Sequence, residues 1–318
     1  MAKSMGREHD PPKIIYFNKH KMNENSKSRR MALKKMAGTA AMLTVGSSLV
    51  NRLEAADNAA GDKLKGKINH SVCRWCYDKI PLEDLCKSAK DIGLASIELV
   101  GPEEWPVLKK YGLTSALPWG AGMGIPKGFN NPQYHDALVK SYEEVIPKVA
   151  AAGFNQIICF SGNRNGMDDE KGMENAAVGL KRLMPIAEKY KVTMVMELLN
   201  SKVNHKDYMC DRTHWGAALA DKIGSDRFKL LYDIYHMQIM EGDVIATIRK
   251  YQQYISHYHT GGVPGRNEID ETQELNYPAI MKAIVETGYK GFVAQEFIPK
   301  RADKIASLRQ GVQICDVG

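Results

Sequence analysis

From residue 67 onward, short apolar runs alternate with longer amphipathic stretches, and this rhythm restricts the fold more than any other feature of the chain. The runs are "KINHSV" (67–72), "LASIELVG" (94–101), "LTSALP" (113–118), "FNQIICFSG" (154–162), "VTMVMELLN" (192–200), "FKLLYDIYH" (228–236), "ISHYHTGG" (255–262) and "FVAQEF" (292–297). Continuous apolar runs of this length read as strands buried on both faces. The stretches between them carry helical spacing and often stop at glycine, as in "PLEDLCKSAKDIG" (81–93). Eight strand–helix units in about 250 residues have the size and order of a closed (β/α)8 TIM barrel. An open, doubly wound sheet would place a glycine-rich turn after its first strand. "NHSVCRWCYD" (69–78) contains no glycine, so the closed barrel is expected over 61–318.

The first 60 residues follow different rules. The chain has 318 residues and a formal charge of +7. Residues 1–56 hold 11 Lys/Arg against 4 Asp/Glu, which accounts for all of it, and the remainder carries 33 of each sign. A neutral body argues against a nucleic-acid backbone as partner. "SRRMALKK" (28–35) precedes "MAGTAAMLTVGSSLV" (36–50), an uncharged segment followed by small residues in "RLEAADNAAG" (52–61). A twin-arginine pair before a modest apolar segment is the layout of a cleavable export signal. The segment is short for a bilayer, which takes about 20 residues, so no stable membrane span is expected. The expectation is a leader over 1–60, engagement of the twin-arginine export machinery, and a periplasmic or otherwise exported body.

The cysteines at 73, 76, 86, 159, 210 and 315 are scattered. Cys73 and Cys76 form a lone C-x-x-C, which is weak as a zinc motif; packing near a pocket is expected, with pairing open to them in an oxidising compartment.

In a parallel barrel, polar residues at the C-terminal strand ends face the active site. Four consecutive runs carry such a residue: Glu197, Asp233, His259 and Glu296. Three carboxylates meeting without a cation would repel and take up protons. A divalent metal removes that conflict, and three oxygens with one imidazole suit Mn²⁺, Mg²⁺ or Co²⁺ and accept Zn²⁺.

The pieces "MELLNS" (196–201), "YDIYHMQIMEGD" (232–243), "ISHYHTGGVPGRNEID" (255–270), "ELNY" (274–277) and "QEF" (295–297) resemble the xylose-isomerase-like barrels, and most closely their hydroxypyruvate isomerase branch. The resemblance implies that Glu197, Asp233, His259 and Glu296 ligate the metal. It implies that Glu197 and Glu296 move the proton, and that His236 and Arg266 hold substrate oxygens. The implied reaction interconverts a small aldehyde and a hydroxyketone through an enediolate, as between hydroxypyruvate and tartronate semialdehyde. A ketose 3-epimerase acting on an unphosphorylated sugar uses the same parts. An abasic-site endonuclease would need further His and Asp for three zinc ions, and the second and third runs end without histidine. A sugar-binding barrel without turnover is the non-enzymatic alternative. Trp75 and Trp119 are expected to wall the pocket, Lys202 and His205 to line it, and "PWGAGMGIPKGFNNP" (118–132) has the composition of a lid.

Overall fold

The computed structural model describes residues 63–318. The twin-arginine leader lies outside the described residues. Seven parallel strands form one curled sheet in the order β2-β1-β7-β6-β5-β4-β3. They are β1 (Asn69–Cys73), β2 (Ser96–Glu98), β3 (Gln156–Cys159), β4 (Thr193–Glu197), β5 (Phe228–Asp233), β6 (Ile255–Thr260) and β7 (Phe292–Gln295).

The run at 113–118 takes the eighth place without forming a regular ladder. Its backbone accepts from Ile97 N at 3.2 Å and Leu99 N at 2.9 Å on one side, and from Ile158 N at 3.3 Å on the other. It therefore joins β2 to β3, the two free edges of the sheet, and closes the barrel. Local chemistry explains the irregularity. Ala116 N donates to the Ser96 hydroxyl at 2.8 Å rather than to a carbonyl, and Pro118 has no N–H to give.

The covering helices are α1 (Leu82–Ile92), α2 (Trp105–Lys110), α3 (His135–Ala151), α4 (Asp169–Lys181), α5 (Met184–Tyr190), α6 (Thr213–Ile223), α7 (Ile234–Met240), α8 (Val244–Tyr251), α9 (Tyr277–Glu286) and α10 (Lys304–Cys315). In α1 the buried residues Leu85, Cys86, Ala89 and Ile92 fall on one helical stripe, with Glu83 and Asp84 in the first turn. Gly93 ends it at φ +97°, a conformation that glycine adopts without a Cβ clash. Asp168, Asn276 and Asp303 cap α4, α9 and α10 through their side chains. Among the described residues no helix is long and apolar enough to cross a membrane. All six cysteines are free and buried.

Candidate active site

Parallel strands end at one rim, and the register brings the four predicted residues to one level there. Glu197 closes β4, Asp233 closes β5 opposite His259 of β6, and Glu296 follows β7 directly. One donor atom from each of the four lies within 4.8 Å of the others, and all four side chains are buried. The expected cluster therefore exists as a single group.

Its charges do not balance without a further cation. Arg266, from the loop after β6, donates through Nη2 to Asp233 Oδ2 at 3.2 Å and to Glu296 Oε2. Its guanidinium lies between the Trp75 ring at 5.2 Å and the Tyr235 ring at 5.3 Å. His259 Nδ1 is 2.8 Å from Glu296 Oε2 and 3.7 Å from Glu197 Oε1. Burial raises the Glu197 and Asp233 carboxyls above the usual range, Asp233 despite the nearby Arg266. Burial acts the same way on Glu296, but Arg266 and His259 overcome it and hold that carboxyl well below the usual range. Burial opposes the charge on Arg266, yet Glu296, Asp233 and Glu197 keep it protonated. Three carboxylates and an imidazole with one donor atom each within 4.8 Å of the others make a donor set that fits a divalent cation.

Asp233 has a second task. Its Oδ1 accepts from His236 N at 3.0 Å and caps α7, so the capping bond fixes the carboxylate's direction. His236 is fully buried. Its Nδ1 accepts from Asn200 N at 3.2 Å, which leaves the proton on Nε2, an atom without a hydrogen-bond partner 3.6 Å from Asp233 Oδ2. Burial, then Arg266, hold this imidazole neutral by lowering its pKa well below 6.5. His236 is thus packed beside the cluster, while Arg266 reaches the cavity.

That cavity, of 430 Å³, is lined by Trp75, Leu99, Trp119, Ile125, Ile158, Phe160, Glu197, Leu199, His205, Arg266 and Glu296. Trp75 also donates its indole N–H to Glu296 Oε1 at 2.9 Å. The two tryptophans and His205 stand where the sequence put them. Lys202 does not: its ammonium donates to the carbonyls of Ile239 and Met240, at the C-terminal end of α7, where a cation meets the helix dipole. The glycine-rich loop supplies Trp119 and Ile125, but its far end is pinned. Asn130 N donates to Ser161 O at 2.8 Å, and a Cβ on Gly128 would meet the backbone of Ser161 and Gly162 at 2.2 Å. Leu99 and Arg266 both line the cavity with left-handed backbones, at φ +56° and +60°, a strain that clusters at functional sites.

A layer below the mouth was not foreseen. Glu98, at the end of β2, is fully buried; its Oε1 lies 2.7 Å from His257 Nε2 and 2.8 Å from His259 Nε2. Burial alone would raise this carboxyl, but the two imidazoles bring it down to about 2. Cys73 Sγ is 3.7 Å from His259 Nε2, and burial pushes its thiol well up. The sequence signal was present: "SIE" and "SHYH" place an acid and two alternate histidines inside buried strands.

A closed parallel barrel with buried carboxylates and an imidazole gathered at its C-terminal mouth defines the class of molecule. A profile of the xylose isomerase-like TIM barrel family matches residues 86–315, and the chain belongs to that family. A protein of Homo sapiens named "Putative hydroxypyruvate isomerase" is 28% identical over 239 residues, covering 74% of this chain and 80% of that one. A "2-oxo-tetronate isomerase" of Cupriavidus necator is 34% identical over 109 residues, covering 34% of this chain and 41% of its own length. The crystal structure of an AP endonuclease, family 2, from Brucella melitensis superposes with a TM-score of 0.67 at 22% identity, over 77% of this chain and 99% of that one. At that identity the likeness concerns the fold.

Proposed function

We propose that this chain is a divalent-metal-dependent isomerase of small hydroxycarbonyl compounds, nearest in activity to hydroxypyruvate isomerase. The observation that carries the reading is the set of four buried donors, Glu197, Asp233, His259 and Glu296, within 4.8 Å of one another, two of which, Glu197 and Glu296, line the cavity. The relatives named as isomerases support it.

These four residues would hold the cation, with Mn²⁺, Mg²⁺ or Co²⁺ suited to the donor set. A bound cation supplies Lewis acidity, which lowers the cost of removing a proton beside a carbonyl. Glu197 or Glu296, both of which line the cavity, accepts the C–H proton. The same or the facing carboxylate returns that proton to the neighbouring carbon, so both acids end the turnover as they began it. Arg266, which lines the cavity, donates to substrate oxygens as their charge grows. The apolar cavity wall excludes water while the proton is in transit.

A ketose 3-epimerase acting on an unphosphorylated sugar is the second reading, favoured by the size of the cavity. At 430 Å³ it lies in the range of about 300–1,000 Å³ typical of drug-sized ligands, and a three-carbon acid leaves most of it empty. Trp75 and Trp119 offer aromatic faces that suit a sugar ring.

One experiment tests both. Hydroxypyruvate and a panel of unphosphorylated ketoses are incubated with protein and Mn²⁺ in D₂O and followed by NMR. Deuterium beside the carbonyl with aldehyde–ketone interconversion is the expected result, and deuterium with inversion at carbon 3 selects the epimerase. Exchange in none of the substrates, with Mn²⁺ bound, overturns the reading. We also propose that residues 1–60 direct twin-arginine export. A reporter fused to them should lose export when Arg29 and Arg30 are both changed to Lys, and export that survives the change refutes the assignment.

A further inference from the structure

We propose that Glu98 is the positioning residue of the metal centre: it holds the proton of His259 on Nε2 and so reserves Nδ1 for the metal. The inference rests on the metal-centre reading above and adds a residue to it. The geometry separates the two nitrogens of His259. Nδ1 faces the acids, 2.8 Å from Glu296 Oε2 and 3.7 Å from Glu197 Oε1. Nε2 faces away from them, 2.8 Å from Glu98 Oε1.

A neutral imidazole carries one proton, and whichever nitrogen holds it cannot ligate. Both ring nitrogens face a carboxylate, Nδ1 that of Glu296 and Nε2 that of Glu98, so each can carry a proton. A cation held by the acids would displace the proton at Nδ1, and Glu98, an acceptor that never donates when ionised, keeps the other on Nε2. Metal-bound histidines commonly donate their other N–H to a carboxylate, which fixes ring orientation and raises ligand basicity. Glu98 is able to do this because its side chain is itself fixed. It is fully buried, its backbone is paired in register with Cys73, and the same Oε1 meets His257 Nε2 at 2.7 Å. His257 and His259 alternate on β6, so both point into the barrel and reach one acid from β2.

Glu98→Gln keeps the shape but removes the charge and can present an amide N–H to Nε2. Binding of Mn²⁺ alone, read by calorimetry, should weaken about 10- to 100-fold, the scale for loss of such a supporting carboxylate. The Co²⁺ absorption spectrum of the variant should change as well. Asp316→Asn is the control for a general loss of stability. Asp316 accepts from Lys65 N at 2.8 Å and lies 3.7 Å from His70 Nε2, so it should lower the melting temperature and leave Mn²⁺ affinity alone. If wild type binds one Mn²⁺ and Glu98→Gln binds it equally well with an unchanged Co²⁺ spectrum, the positioning role is wrong and the metal centre stands. If wild type binds no divalent cation, the centre and the proposal fall together. A second measurement needs no variant. In wild-type protein labelled with ¹⁵N-histidine and loaded with ¹¹³Cd²⁺, scalar coupling should reach Nδ1 of one histidine. Coupling to Nε2 instead overturns the proposal.

Discussion

Strands β4 to β7 bring Glu197, Asp233, His259 and Glu296 to the barrel mouth. Trp75, Leu99, Trp119, Ile125, Ile158 and Phe160 reach the same cavity from the ends of β1, β2 and β3 and from the loop that follows the 113–118 segment. The two sides are held together by different forces. On the first, the energy lies in charge pairing, where stranding a buried ion costs several kcal/mol. On the second it lies in apolar area, where a whole side chain contributes about 1.5–3 kcal/mol. Under the function proposed above, chemistry belongs to one wall and grip on the carbon skeleton to the other. Glu98 is the exception on the apolar side, and its carboxylate meets His257 and His259 of β6.

The division is broken most severely by removing a proton carrier. Glu296→Gln and Glu197→Gln should each lower turnover by about 10² or more while an oxygen remains near the metal. Asp233→Asn should act mainly through metal occupancy, so excess Mn²⁺ should restore much of its activity and little of theirs. Initial rates of deuterium incorporation at saturating Mn²⁺ give the comparison. Equal rescue of all three variants would reduce the acids to ligands.

On the opposite wall, a substitution should alter binding rather than turnover. Trp119→Ala removes a half-exposed aromatic face 5.8 Å from the Phe160 ring. For a ring-sized ketose KM should rise about 10-fold with kcat nearly unchanged, the pattern of uniform binding energy lost, while hydroxypyruvate should scarcely register the change. A fall in kcat of the same size for both substrates would mean that this wall takes part in the chemistry.

Why one wall was legible in the sequence and the other was not follows from the same contrast. Glu197, Asp233, His259 and Glu296 each interrupt an apolar run, and a charge inside a buried strand needs a reason. Their place at the ends of consecutive apolar runs therefore singled them out, and the eight runs located the barrel. The apolar wall gives no such signal, because Ile158 and Phe160 look like any core residue. Glu98 also interrupts a buried strand, but its partners His257 and His259 lie 159 and 161 residues away. Only the closed barrel brings them together. Lys202 was misplaced because nothing in the sequence distinguishes a side chain lining a pocket from one meeting the carbonyls at the end of α7. The third run failed as a ladder because a Ser96 hydroxyl took a backbone bond.

The smallest effect concerns how the cationic wall is held in place. Arg266 sits in a loop that folds back on itself: its N donates to Gly262 O at 2.8 Å, and its O accepts from Ile298 N at 2.6 Å. Two residues on, Glu268 accepts from Lys300 N at 2.9 Å, Arg301 N at 3.0 Å and the Ser307 hydroxyl at 3.0 Å. Burial raises the Glu268 carboxyl, but the N–H groups of Arg301, Glu268 and Lys300 and the Ser307 hydroxyl outweigh it, so its pKa is lowered from 4.5. A folded-state pKa below the unfolded one means stability that is fully present above the ordinary carboxylate value and lost as pH falls through the folded value. Glu268→Gln imitates the protonated form, so it should cost about 1 kcal/mol near neutrality, or about 2–4 °C in melting temperature. Below the ordinary carboxylate range the melting curves of wild type and variant should converge, because the wild type loses the same charge by protonation. KM should rise a few-fold in the variant as Arg266 loosens. Melting-temperature gaps that stay constant down the acid limb would show that Glu268 anchors the loop by shape, leaving Arg266 to be held by Asp233 and Glu296 alone.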